Sequence, residues 1–433
     1  MLFRSGKETI PAHMKTTSVL LAAVFTLTLG ASAAIIVPGA DGSDGVLNIT
    51  VDTVIDLSQA PTGLWDANNT ANAGKGIYDP AKWAVVFKYS SVTIAAGKTV
   101  TFKNHASRAP VAWLVNGSVS IAGTVSLDGA AGGSRPAPPV LAEPGPGGFR
   151  GGAGYYEVGS GVLGSAGFGV GGGLRQGGNE NGFGGSYGTQ GDNGPATYGN
   201  PSLIPLLGGS GGAGAYAYPA GGGGGGAIMI ACANTLTIGG TLRANGGNGG
   251  QPNLRTGGAG SGGGIRLVAD SFAGAGAVQA IGGSNGYAGG LGRVRIERVA
   301  NSATGAITPD PSLVPLTAGD TALLWPPAGA PEVRVVSIGG AAAPTDPRAS
   351  FGSAGADVAL PETTSTQVII ETTNVEQASQ VQVRVAPRAN GNATVVNATV
   401  ASVVSPSPLV VRWTASLPVN AGFSAVQVKV VRP

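Results

Sequence analysis

Short apolar or alternating runs separated by glycine-rich stretches recur along this chain: Val111 to Val115, Ala227 to Cys232, Ile265 to Ala269 and Arg293 to Val299. Runs of this length bounded by turn residues predict β-strands. The first three precede segments that align without a gap over fifteen positions, Val119 to Gly133, Leu236 to Gly250 and Phe272 to Gly286. The repeating unit thus reads strand, short turn, strand, glycine-rich loop, and stacking such units lets each strand pair with its equivalent in the next. The fifth position of every copy is glycine (Gly123, Gly240, Gly276), where a tight corner predicts a positive φ. Asp128-Gly129 and Asn245-Gly246 mark a second corner in two of the copies.

These patterns predict an all-β protein. Residues 92–318 read as an irregular β-solenoid or β-helix-like domain whose coils differ in length. Residues 34–91, with strands at Val46 to Ser58 and Trp83 to Phe87, form an N-terminal cap, and residues 319–331 a Pro-rich linker. Residues 332–433 hold seven candidate strands, 333–338, 357–360, 367–371, 380–386, 393–404, 409–414 and 425–431. Clean alternation such as Val381-Gln-Val-Arg-Val385 predicts antiparallel sheet with one wet face, and the set an Ig-like or fibronectin-like β-sandwich with Trp413 in its core. Between the first two repeats lies a glycine-dominated insertion, 129–226. It reads either as a surface loop or as packed polyproline II strands, with mixed behaviour and order imposed by neighbouring coils as the expectation.

Composition narrows the class. Of 433 residues 77 are glycine, 11% are charged and 42% are hydrophobic, against a usual charged fraction of about a quarter. Charge-driven disorder is excluded by the apolar content. Collagen is excluded because the glycines cluster instead of recurring at every third residue, and a disulfide scaffold because Cys232 stands alone. Met14 to Ala34 has the parts of a secretory signal: Lys15, the apolar stretch Ser18 to Leu29 and the small-residue site Ala31-Ser32-Ala33. Residues 1–33 are therefore expected to be a signal peptide starting at Met14, and the product secreted or cell-surface. Removing Arg4, Lys7, Lys15 and Glu8 leaves 22 basic against 21 acidic residues. That balance carries no footprint for nucleic acid or an anionic membrane, and no stable membrane insertion of the remaining chain is expected.

Chemistry-bearing residues are sparse. His105 reads as a turn residue and Cys232 as a small buried hydrophobe. Asp270 and Glu297 occupy comparable coil positions and could stack as a carboxylate pair of the kind glycoside hydrolysis uses, with solvated edge charges as the simpler reading. Asp41-Gly-Ser-Asp44 reads as a tight turn because it lacks the remaining ligands of a calcium loop. Gly221 to Gly226 is not a phosphate loop, since no Lys-Ser or Lys-Thr follows. No catalytic set, metal site or cofactor is expected. Seven of the nine tyrosines fall between Tyr155 and Tyr287 in glycine-rich surroundings, and aromatics in small-residue loops suit recognition. The candidate ligand-binding residues are Tyr155, Tyr156, Tyr187, Tyr216, Tyr218 and Tyr287.

With repeats such as Ile121-Ala-Gly-Thr-Val125, the order of parts resembles that of secreted glycine-rich bacterial surface or adhesin-like proteins, in which a β-solenoid precedes an Ig-like module. The glycine runs are similar in kind to the polyglycine sandwiches of phage tail-tip adhesins. The resemblance implies a cell-surface or matrix role with cell-surface glycans or envelope components as partners, and carries over no catalytic residue. The leading expectation is a non-enzymatic adhesion or glycan-binding protein acting through its tyrosine-bearing loops. A structural envelope or matrix protein without a small ligand, and a β-helix carbohydrate-active enzyme, are the alternatives.

Overall fold

The structure, a computed structural model, describes residues 33–134, 141–154, 164–176, 181–216, 219–251, 255–348, 355–361, 364–388 and 391–433. All but the last residue of the expected signal peptide lies outside them. In chain order the strands are β1 (Gly45–Ile49), β2 (Thr53–Asp56), β3 (Ile77–Asp79), β4 (Ala84–Ile94), β5 (Thr99–Lys103), β6 (Val111–Val115), β7 (Val119–Ile121) and β8 (Thr124–Ser126). After the glycine-rich insertion come β9 (Ala227–Ile238), β10 (Thr241–Arg243), β11 (Gly264–Ala273), β12 (Ala277–Gln279), β13 (Arg293–Asn301), β14 (Ile307–Thr308) and β15 (Ser312–Pro315). The C-terminal part adds β16 (Glu332–Ile338), β17 (Ala341–Ala342), β18 (Ser365–Thr373), β19 (Gln380–Pro387), β20 (Thr394–Asn397), β21 (Thr399–Pro406), β22 (Leu409–Pro418) and β23 (Ser424–Val431).

The architecture corrects the one expected from the sequence, a β-solenoid followed by an Ig-like sandwich. The dominant structure is two large sheets, one of nine strands built around β1-β4-β6-β9-β11-β13-β15 and one of six strands ordered β14-β12-β10-β8-β5-β2. Their pairings are parallel, apart from the β3–β4 hairpin. Parallel pairing follows from the repeat: the chain leaves one sheet, runs through the other and returns, so equivalent strands lie side by side pointing the same way. Thr124, Thr241 and Ala277, which occupy one repeat position, pair in a row. The C-terminal strands divide into an antiparallel five-stranded sheet, β17-β16-β18-β22-β21, and a three-stranded one, β20-β19-β23. The run 393–404 breaks at Ala398, because its two halves pair with strands of different sheets. The expected strand at 357–360 is absent.

Packing explains the apolar runs. Val85, Phe87, Trp113, Ile230 and Leu267 face Val100, Val125, Leu242 and Val278 of the six-stranded sheet, forming the main core. The opposite face of the nine-stranded sheet is also covered: Val86, Leu114, Met229 and Val268 pack with Tyr187, Tyr198, Leu203, Ala322 and Leu324. A parallel sheet buried on both faces needs continuous apolar strands in place of alternation. The third core, around Trp413, Val383 and Ile370, lies between the two antiparallel sheets.

The described part of the glycine insertion is an ordered layer. Along 220–226 the backbone N–H donors reach three different segments in rotation. Ala220, Gly223 and Gly226 donate to Gly133, Ala130 and Leu127; Gly221 and Gly224 to Gly152 and Phe149; Gly222 and Gly225 to Gly258 and Ser261. A three-residue period of this kind is that of the polyproline II helix, whose backbone groups all point outward, so neighbouring chains supply the partners that a lone segment would have to take from water. Side chains are excluded by distance: a Cβ on Gly222 would stand 2.0 Å from the Gly247 carbonyl oxygen, and one on Gly212 2.1 Å from that of Gly258. The same reason corrects the corner glycines. Gly123, Gly240 and Gly276 do not have positive φ; they stack, and a Cβ on Gly240 would meet the Gly123 oxygen at 1.9 Å, one on Gly276 the Gly240 oxygen at 2.2 Å.

Residues 34–433 form one compact unit, and the contacts of the antiparallel sheets with the rest include two attachments that border the site. Arg384 donates to the carbonyl oxygens of Gly167 (2.8 Å) and Gly172 (3.3 Å) in the glycine layer, and its burial pulls its pKa down to about 10. Ala386 packs there with Phe168 and Leu141. On the other side Asp346 accepts the Tyr78 hydroxyl at 2.6 Å. A cleft remains between the two attachments.

Candidate functional site

The cleft has a volume of about 690 Å³. The parallel-sheet side supplies Trp83, Ser107, Arg108, Phe149, Arg150 and Phe168, and the antiparallel side supplies residues 333–336 of β16 and 423–427 at β23. Two of these residues have an unusual backbone. Trp83 has φ 45° and Arg108 φ 55°, the left-handed region that bulky residues avoid, at a cost of about 1–3 kcal/mol each. They are linked, since Trp83 Nε1 donates to the Ser107 carbonyl oxygen at 3.1 Å.

The turn that aims Arg108 is locked by His105. The Nδ1 of His105 accepts from the Ser107 amide at 3.1 Å and lies 2.8 Å from the Ser107 hydroxyl, while the Arg108 amide donates to the His105 carbonyl at 2.9 Å. The ring stacks on Tyr78, centroids 4.1 Å apart. Burial, then the Arg348 charge, lowers the His105 pKa, so the ring is neutral near pH 7. Burial and the bond to Asp346 raise that of Tyr78 to about 12. His105 is thus buried, at 6% exposure, where the sequence suggested a surface turn. Its signal was only the spacing His105-Ala-Ser107, which lets a side chain close a two-residue turn.

Arg108 is then fixed by Glu143 at 3.4 Å, and Arg150 Nε reaches the same carboxylate at 2.7 Å. Burial first, and then Arg150, pushes the Arg108 pKa below its ordinary value. Arg108 also lines a second cavity of about 710 Å³ with Lys103, His105, Asp128, Glu143 and Arg348, so one guanidinium borders both.

The tyrosines expected to bind ligand are scattered. Tyr155, Tyr156 and Tyr218 lie outside the described residues. Tyr187 is a correction: it is 1% exposed, donates to the Leu207 carbonyl at 2.9 Å and packs on Tyr198, because the glycine layer folds over the nine-stranded sheet and needs large side chains to fill the gap. Tyr216 is half-buried with the Arg255 guanidinium 5.1 Å from its ring centre. Tyr287 is half-buried against Phe183, centroids 4.9 Å apart. These two remain on the rim of the layer.

Of the two acidic candidates, Glu297 is committed to a buried ion-pair set. Glu297, 4% exposed, accepts Arg266 Nε and Arg295 Nε, both at 2.7 Å, and Arg266 also donates to the Leu324 carbonyl at 3.2 Å. Glu297 pairs in register with Val268, and neither it nor Asp270 lines either cavity. Asp44 is buried and accepts from Asn69 Nδ2, the amides of Gly74 and Gly76, and the Lys88 amide, which makes it the hub of its turn. Cys232 is fully buried. Among the described residues no group of three or more His, Cys, Asp and Glu could hold a metal ion, and no helix is long and apolar enough to cross a membrane. Comparison with protein-family models, characterised proteins and solved structures finds no match to this chain.

Proposed function

We propose that this chain is an exported, non-enzymatic glycan-binding protein of the cell exterior, and that the sugar sits in the cleft beside Trp83 and Arg108. The observation carrying this reading is the left-handed backbone of those two residues. Glycine or asparagine would hold either position at lower backbone cost, so the large side chains have a use that offsets the strain, beyond the core contact of Trp83 and the ion pair of Arg108. A flat indole and a guanidinium fixed by Glu143 suit a sugar, one taking an apolar ring face and the other paired hydroxyls. Phe149 and Phe168 extend the apolar lining.

Arg108→Asn tests it. Asparagine tolerates left-handed backbone, so strain relief of about 1 kcal/mol offsets the lost ion pair. Stability stays within about 1 kcal/mol of the parent while binding on a glycan array falls at least about tenfold. Unchanged binding would overturn the site. The rim supports a second reading, in which Tyr216 with Arg255 and Tyr287 with Phe183 carry the contact. Tyr216→Ala with Tyr287→Ala then abolishes binding and Arg108→Asn does not.

A further inference from the structure

Resting on the glycan reading above, we infer that the cleft selects sugars bearing a carboxylate. Three arginines line it, and they belong to two sets that each share a single acid. On the parallel-sheet side these are Arg108 and Arg150 on Glu143. On the antiparallel side Arg334 of β16 and Arg412 of β22 share Glu371 of β18, the three being cross-strand partners in one row. In each set two guanidiniums stand against one carboxylate.

The second set is arranged to present its positive charge. The Glu371 side chain is 8% exposed and that of Arg334 66%, so the acid lies beneath and the guanidinium paired with it reaches solvent. Arg412, and then Arg334, holds the Glu371 pKa below the usual carboxylate value, which keeps the acid ionised and the arginines anchored. The one acid among the described lining residues, Asp357, accepts the Arg348 amide at 3.1 Å. The lining thus carries three arginines, Arg108, Arg150 and Arg334, against one carboxylate, and the solvent-reaching Arg334 presents the planar fork that matches a carboxylate. Trp83 and Phe149 supply stacking faces for the rings between charged groups. Neutral sugars use only those faces and hydroxyl contacts; a uronic acid adds the charge-assisted pair.

The experiment is calorimetric titration of the full chain with a short oligogalacturonate and with a neutral galactose oligomer of equal length. The acidic oligomer binds at least about tenfold more tightly at low salt, and its advantage shrinks as salt is added. Arg334→Gln reduces the acid-to-neutral ratio about tenfold, and Arg150→Gln, on the other side, reduces it as well. Arg432→Gln, whose guanidinium pairs with Glu376 outside the cleft lining, leaves the ratio intact. Equal affinity for the two oligomers, or a preference that survives both Arg334→Gln and Arg150→Gln, overturns the inference while leaving the glycan reading in place. Binding of neither oligomer, with no sugar retained on an array, removes the reading and the inference together.

Discussion

Gly258→Ala probes the glycine layer at its most crowded kind of position. Gly258 lies on a segment that passes between two others: its amide donates to Ala213 at 2.8 Å, and its carbonyl accepts from Gly222 at 2.9 Å. A Cβ there would stand 1.9 Å from the Phe183 carbonyl oxygen and 2.3 Å from its carbon, against a floor near 3.0 Å for real Cβ contacts. The layer must open by about 1.1 Å, and it can move only by lengthening bonds to its neighbours. Overpacking costs about 1–3 kcal/mol, and two weakened backbone hydrogen bonds add about 1 kcal/mol each. The expected loss is about 3–5 kcal/mol, a large share of the 5–15 kcal/mol typical of a folded protein. Urea unfolding followed by tryptophan fluorescence reads it, since Trp113 and Trp413 are buried. The companion variant is Gly133→Ala, also in this layer, where an added Cβ meets nothing within 4 Å; it stays within about 0.5 kcal/mol of the parent. Equal unfolding of the two variants would show that the glycines are not there to let backbones touch.

Three other outcomes follow from the geometry. Glu297→Ala strands the buried Arg266 guanidinium and lowers stability by about 3–5 kcal/mol in the same urea assay, whereas Arg266→Met combined with Glu297→Leu recovers most of it. His105 has a folded pKa below its unfolded value, so the unfolded chain takes up its proton first as pH falls. Stability is full above pH about 6.5, declines as pH drops toward the folded value, and His105→Gln flattens that part of the profile between pH 7 and 5. Burial, and then Asp270, raises the Cys232 thiol to about 12, so a thiol reagent at pH about 8 leaves the native protein unlabelled and reacts only after denaturation.

The strand positions were legible locally. Val111 to Val115 is a strand, and the apolar runs at 227–232, 265–269 and 293–299 lie within β9, β11 and β13, because short runs of branched residues bounded by glycine leave few other options. Alternation marked Val381, Val383 and Val385 as one buried face, and Trp413 as interior. At Gly123 and Gly240 the residue type was informative and the reason was not: glycine is required by the backbone of the next copy, which local sequence does not display. The cleft was illegible for a related reason. Trp83, Arg108, Arg150 and Arg334 come from separated parts of the chain, and none lies in a motif.

Local sequence specifies short strands, a repeat that places equivalent strands side by side, and a segment unusually rich in glycine. Long-range packing sets the rest: the described part of the glycine segment is a packed layer, and arginines from both sides border one cleft. The difference is one of range. Strand propensity and alternation act over a few residues, whereas the decisive contacts join residues such as Asn245 and Asp128, 117 apart in the chain, or Asn392 and Arg175, 217 apart. A glycine backbone makes the point most sharply, since with no side chain to direct it, its conformation is set by whichever neighbours accept its hydrogen bonds.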